Sequence, residues 1–176
     1  MVWCASQWKK VEQQSEFYLN VPVFYNSYEL KLDKKHRLFI PTDIRRLIDP
    51  EVHGKAFFVI LGRNRRPWLY PEKYYQTLVL EMPSEMTPDD ELVEYLRLKL
   101  SLADRIEWDE QGRVVMPERI LRRSGIENDV TLTGVWDHLE LWNREAWNTY
   151  SDHLVDNSPE IETKGKQAMK AARNSR

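Results

Sequence analysis

The sequence predicts an α+β chain built from two similar halves, and three observations carry that reading. The stretch Asp33-Lys34-Lys35-His36-Arg37-Leu38-Phe39-Ile40-Pro41 returns as Asp109-Glu110-Gln111-Gly112-Arg113-Val114-Val115-Met116-Pro117: acid, base and proline all recur 76 residues on, with three apolar residues between base and proline both times. Each copy is embedded in strand-length apolar or alternating runs with short helical patterns between them. Leu69-Tyr70 and Leu141-Trp142 correspond 72 residues apart, so the first half carries about four extra residues, in its basic loop or before Phe57.

In chain order, residues 1 to about 20 hold Trp3, Trp8 and Phe17 without a clean period and read as an extension that is helical at most in part. Pro22 among strand formers marks an edge or connector. Tyr28 to Leu32 alternates apolar and polar, as a half-buried strand does. Asp33 to His36 is its turn and Arg37 to Ile40 the returning strand, which Pro41 ends. Thr42 then offers an N-cap hydroxyl to a short helix carrying Ile44, Leu47 and Ile48, stopped by Asp49-Pro50. Phe57 to Leu61 and Trp68 to Tyr70 form a second hairpin around Gly62-Arg63-Asn64-Arg65-Arg66-Pro67. Pro71 opens a helix over Glu72 to Glu81. After Pro83, Thr87 as cap, Pro88 and two acids start another helix; its Leu92, Leu96 and Leu100 predict packing on both halves. The second copy repeats the plan with Arg105 to Trp108, the turn Asp109 to Gly112, the return Arg113 to Met116, a short helix ended by Ser124-Gly125, strands Asp129 to Thr133 and Leu139 to Trp142, and a helix capped by Asn143 that turns Trp147, Tyr150 and Leu154 inward. The organisation is therefore residues 1–23, an N-terminal extension; 24–82, the first half; 83–102, an acidic connector and helix; 103–156, the second half; and 157–176, a basic flexible tail, either disordered or an induced helix.

Composition excludes several classes. The 176 residues are 41% hydrophobic and 31% charged, enough for one good core or two small coupled ones. Cys4 is the only cysteine, so no intramolecular disulfide can form and a reducing cytoplasm is the natural home. No run reaches the roughly 18 apolar residues of a spanning helix, and the first ten lack a signal core. The four histidines show no metal-ligand spacing with one another or with Cys4. Neither a glycine-rich phosphate loop nor a G-x-S-x-G elbow is present. The chain reads as a binding protein without cofactor or metal, not an enzyme.

The net charge of −2 argues against a basic coat, but the distribution is uneven. Residues 31–49 hold six bases against three acids, Arg63, Arg65 and Arg66 cluster nearby, and residues 81–94 hold six acids and no base. A polyanion would bind at the repeat, not at the connector. The arginine cluster reads by default as a solvated hairpin tip. Trp136, Trp142 and Trp147 read as core or subunit interface.

The doubled Asp-x-x-x-Arg frame, followed by three apolar residues and Pro, resembles the MraZ family of bacterial transcriptional regulators in the SpoVT-AbrB superfamily. The second copy fits most closely, and Leu139 to Trp147 resembles the family's closing strand and helix. The likeness covers roughly residues 24 to 150. It implies tandem SpoVT-AbrB-type halves, swapped-hairpin or double-split β-barrel-like, with short helices and a pseudo-twofold axis. It also implies a cytoplasmic, nucleoid-associated homo-oligomer, a ring, that binds double-stranded promoter DNA at direct repeats and represses the division and cell-wall gene cluster including its own gene. The family generally has Gly before the Arg in both copies. Gly112 keeps it and His36 does not; if that position needs a positive φ, histidine adopts it at a cost of about 1 kcal/mol.

Carried over by residue, the resemblance makes Asp33, Arg37, Asp109 and Arg113 the DNA-binding positions. An arginine at the head of a return strand can grip a phosphate or the O6 and N7 edge of guanine. The aspartate four residues earlier can accept turn amides and hold the guanidinium ready. Lys34 and Lys35 add phosphate affinity. An Asp heading a turn is ordinarily just an Asx cap, and a surface pair contributes at most about 1 kcal/mol; its repetition is what favours function here. The alternative is an antitoxin-like or scaffolding protein-binding module of the same fold.

Overall fold

The computed structural model describes residues 21–82 and 89–174; the expected Thr87 cap, Pro88 and most of the N-terminal extension lie outside them. Eight strands and seven helices are drawn among the described residues. In order they are β1 (Ser27–Lys31), β2 (Arg37–Phe39), α1 (Thr42–Arg46), α2 (Pro50–His53), β3 (Ala56–Leu61), β4 (Pro67–Pro71), α3 (Glu72–Leu80), α4 (Asp90–Leu100), β5 (Asp104–Glu107), β6 (Arg113–Val115), α5 (Glu118–Ser124), β7 (Asp129–Val135), β8 (His138–Asn143), α6 (Arg144–Asp156) and α7 (Ser158–Asn174). None of these helices is long and apolar enough to cross a membrane.

The strands form a six-stranded antiparallel sheet in the order β1-β7-β8-β4-β3-β5 and a separate ribbon of β2 with β6. Both read the same from either end if the halves are exchanged. In the ribbon Leu38 faces Val114, its own counterpart in the repeat, with Arg37 opposite Val115 and Phe39 opposite Arg113. Two further bonds repeat the relation: the Ile40 amide donates to the Gly112 carbonyl (2.8 Å) and the Met116 amide to the His36 carbonyl (2.9 Å). At the sheet centre Trp68 faces Glu140, the residue 72 positions on. The local dyad passes through these two pairs.

This pairing corrects the expected hairpin of Tyr28–Leu32 with Arg37–Ile40. The turn closes, with the His36 amide bonded to the Asp33 carbonyl (2.9 Å), but β1 then pairs with β7 and β2 with β6. The second copy does likewise, β5 joining β3 and β6 joining β2. Local alternation shows which faces are apolar and is silent about which partner satisfies the backbone. The register also places the extra residues. Phe57 faces Ile106 as Val130 faces Leu30, so β3 and β7 are offset by 73, against 76 at the turns and 72 at β4 and β8. Three therefore lie between Pro41 and β3, and one in the β3–β4 loop.

The core is built from repeat counterparts: Leu38 with Val114, Ile40 with Met116, and Ile44 with Ile120, all at most 1% exposed. Phe57, Leu69, Val130, Leu139 and Leu141 complete it. A glycine at 134 is needed because the strand edge at Phe24 and Tyr25 runs so close that a β-carbon would sit 2.3 Å from the Tyr25 amide nitrogen.

Some helix ends differ from expectation. Pro41, not Thr42, holds the cap position of α1, and Pro50 begins α2 under an Asp49 side chain that accepts the Glu51 amide (2.9 Å). Asn143 caps α6 as expected, accepting from Glu145 and Ala146, and Gly125 ends α5 in the left-handed conformation. Trp147 and Leu154 are half-buried and Tyr150 is 39% exposed, so the inward face of α6 is shallow. The basic tail is drawn as α7, exposed along its length. Helix α4 buries none of its residues fully; Leu92, Val93 and Leu96 are half-buried, so the predicted packing is shallow.

Candidate nucleic-acid interface

The ribbon puts its site on one face. Successive residues of a strand point to opposite sides, and directly paired residues share a side. Leu38 and Val114 therefore point together into the core, and Arg37, Phe39, Arg113 and Val115 point together outward, Phe39 being 42% and Val115 57% exposed. The two arginines sit at diagonal ends, roughly 7 Å apart along the strand direction for a two-residue stagger.

Each arginine is clamped in the same way. Asp33 Oδ1 accepts the amides of Lys35 (2.8 Å) and Arg37 (3.0 Å), and its Oδ2 accepts Arg37 Nε (2.6 Å). Asp109 Oδ1 accepts the amides of Gln111 (3.0 Å) and Arg113 (2.9 Å), and its Oδ2 accepts Arg113 Nε (3.0 Å) and Nη2 (2.7 Å). One carboxylate thus caps the turn with one oxygen and holds the guanidinium with the other. Both aspartates are held in the charged form. The Arg37 amide, then its side chain and the Lys35 amide, bring Asp33 down to about 2 despite partial desolvation. For Asp109 the Arg113 side chain leads, followed by its amide. Neither guanidinium is sealed: the Arg37 side chain is 32% and that of Arg113 28% exposed. Each keeps donors for a ligand while losing little rotamer freedom on binding.

The turns differ at one residue. His36 and Gly112 both take a positive φ, 57° and 77°. The position preceding each arginine needs a left-handed backbone, and histidine supplies it at some strain. At Gly112 a β-carbon would lie 2.7 Å from the Arg45 guanidinium, which rests on the turn with its Nε bonded to the Ile40 carbonyl (3.0 Å) and stacks over Phe39 (5.6 Å). In the other half Leu121 stands where Arg45 does, and with Arg122 it lines a cleft beside His36. Each turn is completed by the helix of the opposite half. The cations that join the predicted set are therefore Arg45 beside the second turn and Arg122 beside the first. Arg46 is the repeat counterpart of Arg122, 76 residues before it, a spacing visible in the sequence, whereas the crossing of Arg122 to the opposite turn is not.

Lys34 and Lys35 are exposed on the first turn. The basic β3–β4 loop departs from a wholly solvated tip: the Arg66 guanidinium lies 3.4 Å from the Trp142 ring centre and also faces Tyr150. Trp142 is buried, Trp147 half-buried and Trp136 58% exposed, so the three tryptophans do not form one set.

Comparison with known proteins agrees with the resemblance drawn from the repeated frame. Residues 100–169 match the family described as "MraZ protein, putative antitoxin-like". Proteins named transcriptional regulator MraZ align with most of the chain. That of Clostridium tetani is 27% identical over 76% of this chain and 91% of its own length. That of Neisseria meningitidis serogroup C is 27% identical over 78% and 91%, and that of Syntrophomonas wolfei 29% over 79% and 94%.

Proposed function

For a chain that carries a MraZ domain and aligns over most of its length with MraZ proteins, we propose that it is a transcriptional regulator that binds double-stranded DNA sequence-specifically. The observation that carries this is the pair of Asp–Arg clamps set at diagonal ends of one exposed ribbon face. A two-stranded ribbon fits the major groove, where an arginine fork reads guanine and an apolar side chain such as Phe39 or Val115 contacts a thymine methyl. Lys34, Lys35, Arg45, Arg46 and Arg122 supply phosphate contacts that fix register without reading sequence. The carboxylates lower the local potential, which favours selectivity over raw attraction.

The finer reading is that the halves 24–82 and 103–156 are tandem SpoVT-AbrB-type units of swapped hairpins, supported by the strands each half lends to the other. The protein works as a homo-oligomer, a ring, in the cytoplasm at the nucleoid. It binds promoter direct repeats and represses the division and cell-wall gene cluster that includes its own gene. Few phosphates are neutralised per subunit, so joining subunits supplies the affinity through effective concentration.

The test is a shift assay over a salt series with promoter DNA carrying direct repeats and with a scrambled duplex. Preference for the repeats, and a salt slope that flattens by about 1 in Arg46→Ala as one phosphate contact is lost, are expected. Equal, slope-free retention of both duplexes contradicts it. A second reading, an antitoxin-like or scaffolding module that grips protein, is favoured by the exposed acids Asp89, Asp90, Glu91 and Glu94 at the start of α4. It predicts no DNA retention at any salt.

A further inference from the structure

An exposed apolar surface lies away from the ribbon, where α3 and α4 flank β3. Phe58, Tyr75, Val79, Leu80, Leu100 and Ala103 line an open cavity of about 500 Å³ there. A second of about 390 Å³ continues it past Tyr95 and Met82. Leu80 is 83%, Leu98 59%, Tyr95 48% and Leu100 40% exposed. An amphipathic helix with no buried residue, beside a groove floored by aromatic rings, leaves several apolar side chains in water.

We infer that residues 1–20 of the same chain seat in this groove. Three observations select that occupant. The described chain begins at Val21, which packs against the cluster of Ile60, Tyr70, Tyr74 and Tyr75 that forms the groove's floor. The segment starts at the site it would fill, and at about 3.3 Å per extended residue its 20 residues outreach a nine-residue helix. Its side chains match an apolar slot: Trp3, Trp8, Val11 and Phe17. The basic part of the segment also matches: Lys9 and Lys10 precede its two acids, Glu12 and Glu16, and the first turns of α4 present Asp89, Asp90, Glu91 and Glu94, all exposed. The seated segment holds α4 against α3, so the extension completes the packing that α4 lacks among the described residues. This surface is separate from the ribbon face, and the inference stands apart from the DNA-binding reading.

Cys4 is the only cysteine and lies within the segment, so the native chain accepts a single probe there. The full-length protein is labelled at Cys4 with a benzophenone maleimide, irradiated, run on a denaturing gel and mapped by peptide mass. The expected product keeps the mobility of one chain and joins Cys4 to peptides from residues 76–80 or 95–103. Leu80→Glu, which charges an exposed residue of the groove's lining and spares the core, lowers the yield about tenfold. Val155→Glu, at a position on α6 that is 72% exposed, leaves it unchanged. Links only to other regions, products only of doubled mass, no product above a Cys4→Ser control, or a yield indifferent to Leu80→Glu each overturn the inference. The doubled product would assign the groove to a second copy.

Discussion

Truncating Leu38 tests the ribbon on which both clamps are mounted. Leu38 and Val114 face each other across the dyad and are both fully buried. Leu38→Ala removes three carbons from a site enclosed by Ile40, Met116 and their neighbours, so transfer and cavity contributions both apply and the cost is about 3 kcal/mol. Val114→Ala removes two methyls and costs about 2 kcal/mol. Val115→Ala, one residue along and pointing outward, costs less than about 1 kcal/mol. In a domain of this length 1 kcal/mol moves Tm by about 2–4 °C, so Leu38→Ala lowers it by about 6–12 °C at fixed protein concentration. Because the residues touch, the double variant loses less than the two single losses combined, by about 0.5 kcal/mol or more. Thermal unfolding of the wild type, Leu38→Ala, Val114→Ala and the double variant gives the cycle, with Val115→Ala as the control. Strict additivity, or a Leu38→Ala loss no larger than that of Val115→Ala, would refute a core shared across the dyad and restore the simple hairpin.

Two further outcomes follow from the charges. In a carbon-detected NMR titration Asp33 ionises at about 2. Arg37→Ala leaves it below the usual 3.8, because the amide of residue 37 contributes most, whereas Arg113→Ala moves Asp109 further back, its side-chain bond being the larger contribution; identical responses would show that the ordering of causes is wrong. His138 is buried between the rings of Trp68 and Tyr70, with Nδ1 2.6 Å from Asp137 and Nε2 3.7 Å from Glu140. Burial alone would lower its pKa, yet the two carboxylates more than offset that and raise it above 6.5, while both carboxylates are lowered. A raised histidine stabilises the fold fully below its unfolded value and loses that contribution as pH rises through the folded one. Lowered carboxylates contribute above their unfolded values. Stability measured by urea denaturation is therefore highest from about pH 5 to 6.5 and declines above it, and His138→Gln flattens the decline. A wild-type profile that climbs from pH 6.5 to 8 would contradict the cluster.

The turns were the most legible part of the chain, because their chemistry is local. Asp33 and Asp109 accept the amides two and four residues on from their own side chains, so composition and spacing alone specify them. The positive φ at His36 was legible for the same reason, through its glycine counterpart. Strand partners were not. Leu38 with its exposed neighbours suits β1 or β6 equally, and only the register of the whole core selects the second. Arg45 is visible in the sequence only as one charge of a basic stretch, and Arg122 not as part of the site at all, because both reach the turn of the opposite half. Arg66 looked like one of three solvated cations until the fold brought Trp142, 76 residues away, beneath it. The leucines of α4 promised core packing, but periodicity states which face is apolar and not what covers it.

The claim that both clamps read DNA is tested most directly by measuring Kd for one direct-repeat promoter fragment, at one salt concentration, with the wild type, Arg37→Ala, Arg113→Ala and the double variant, each shown by size-exclusion chromatography to keep the native assembly. The expected result is a similar loss for either single change, about tenfold and corresponding to the 1–3 kcal/mol of a bidentate contact, with a larger loss in the double variant. Wild-type affinity in Arg37→Ala would leave the His36 turn outside the interface. Wild-type affinity in both single variants and in the double would remove the ribbon face from DNA binding altogether.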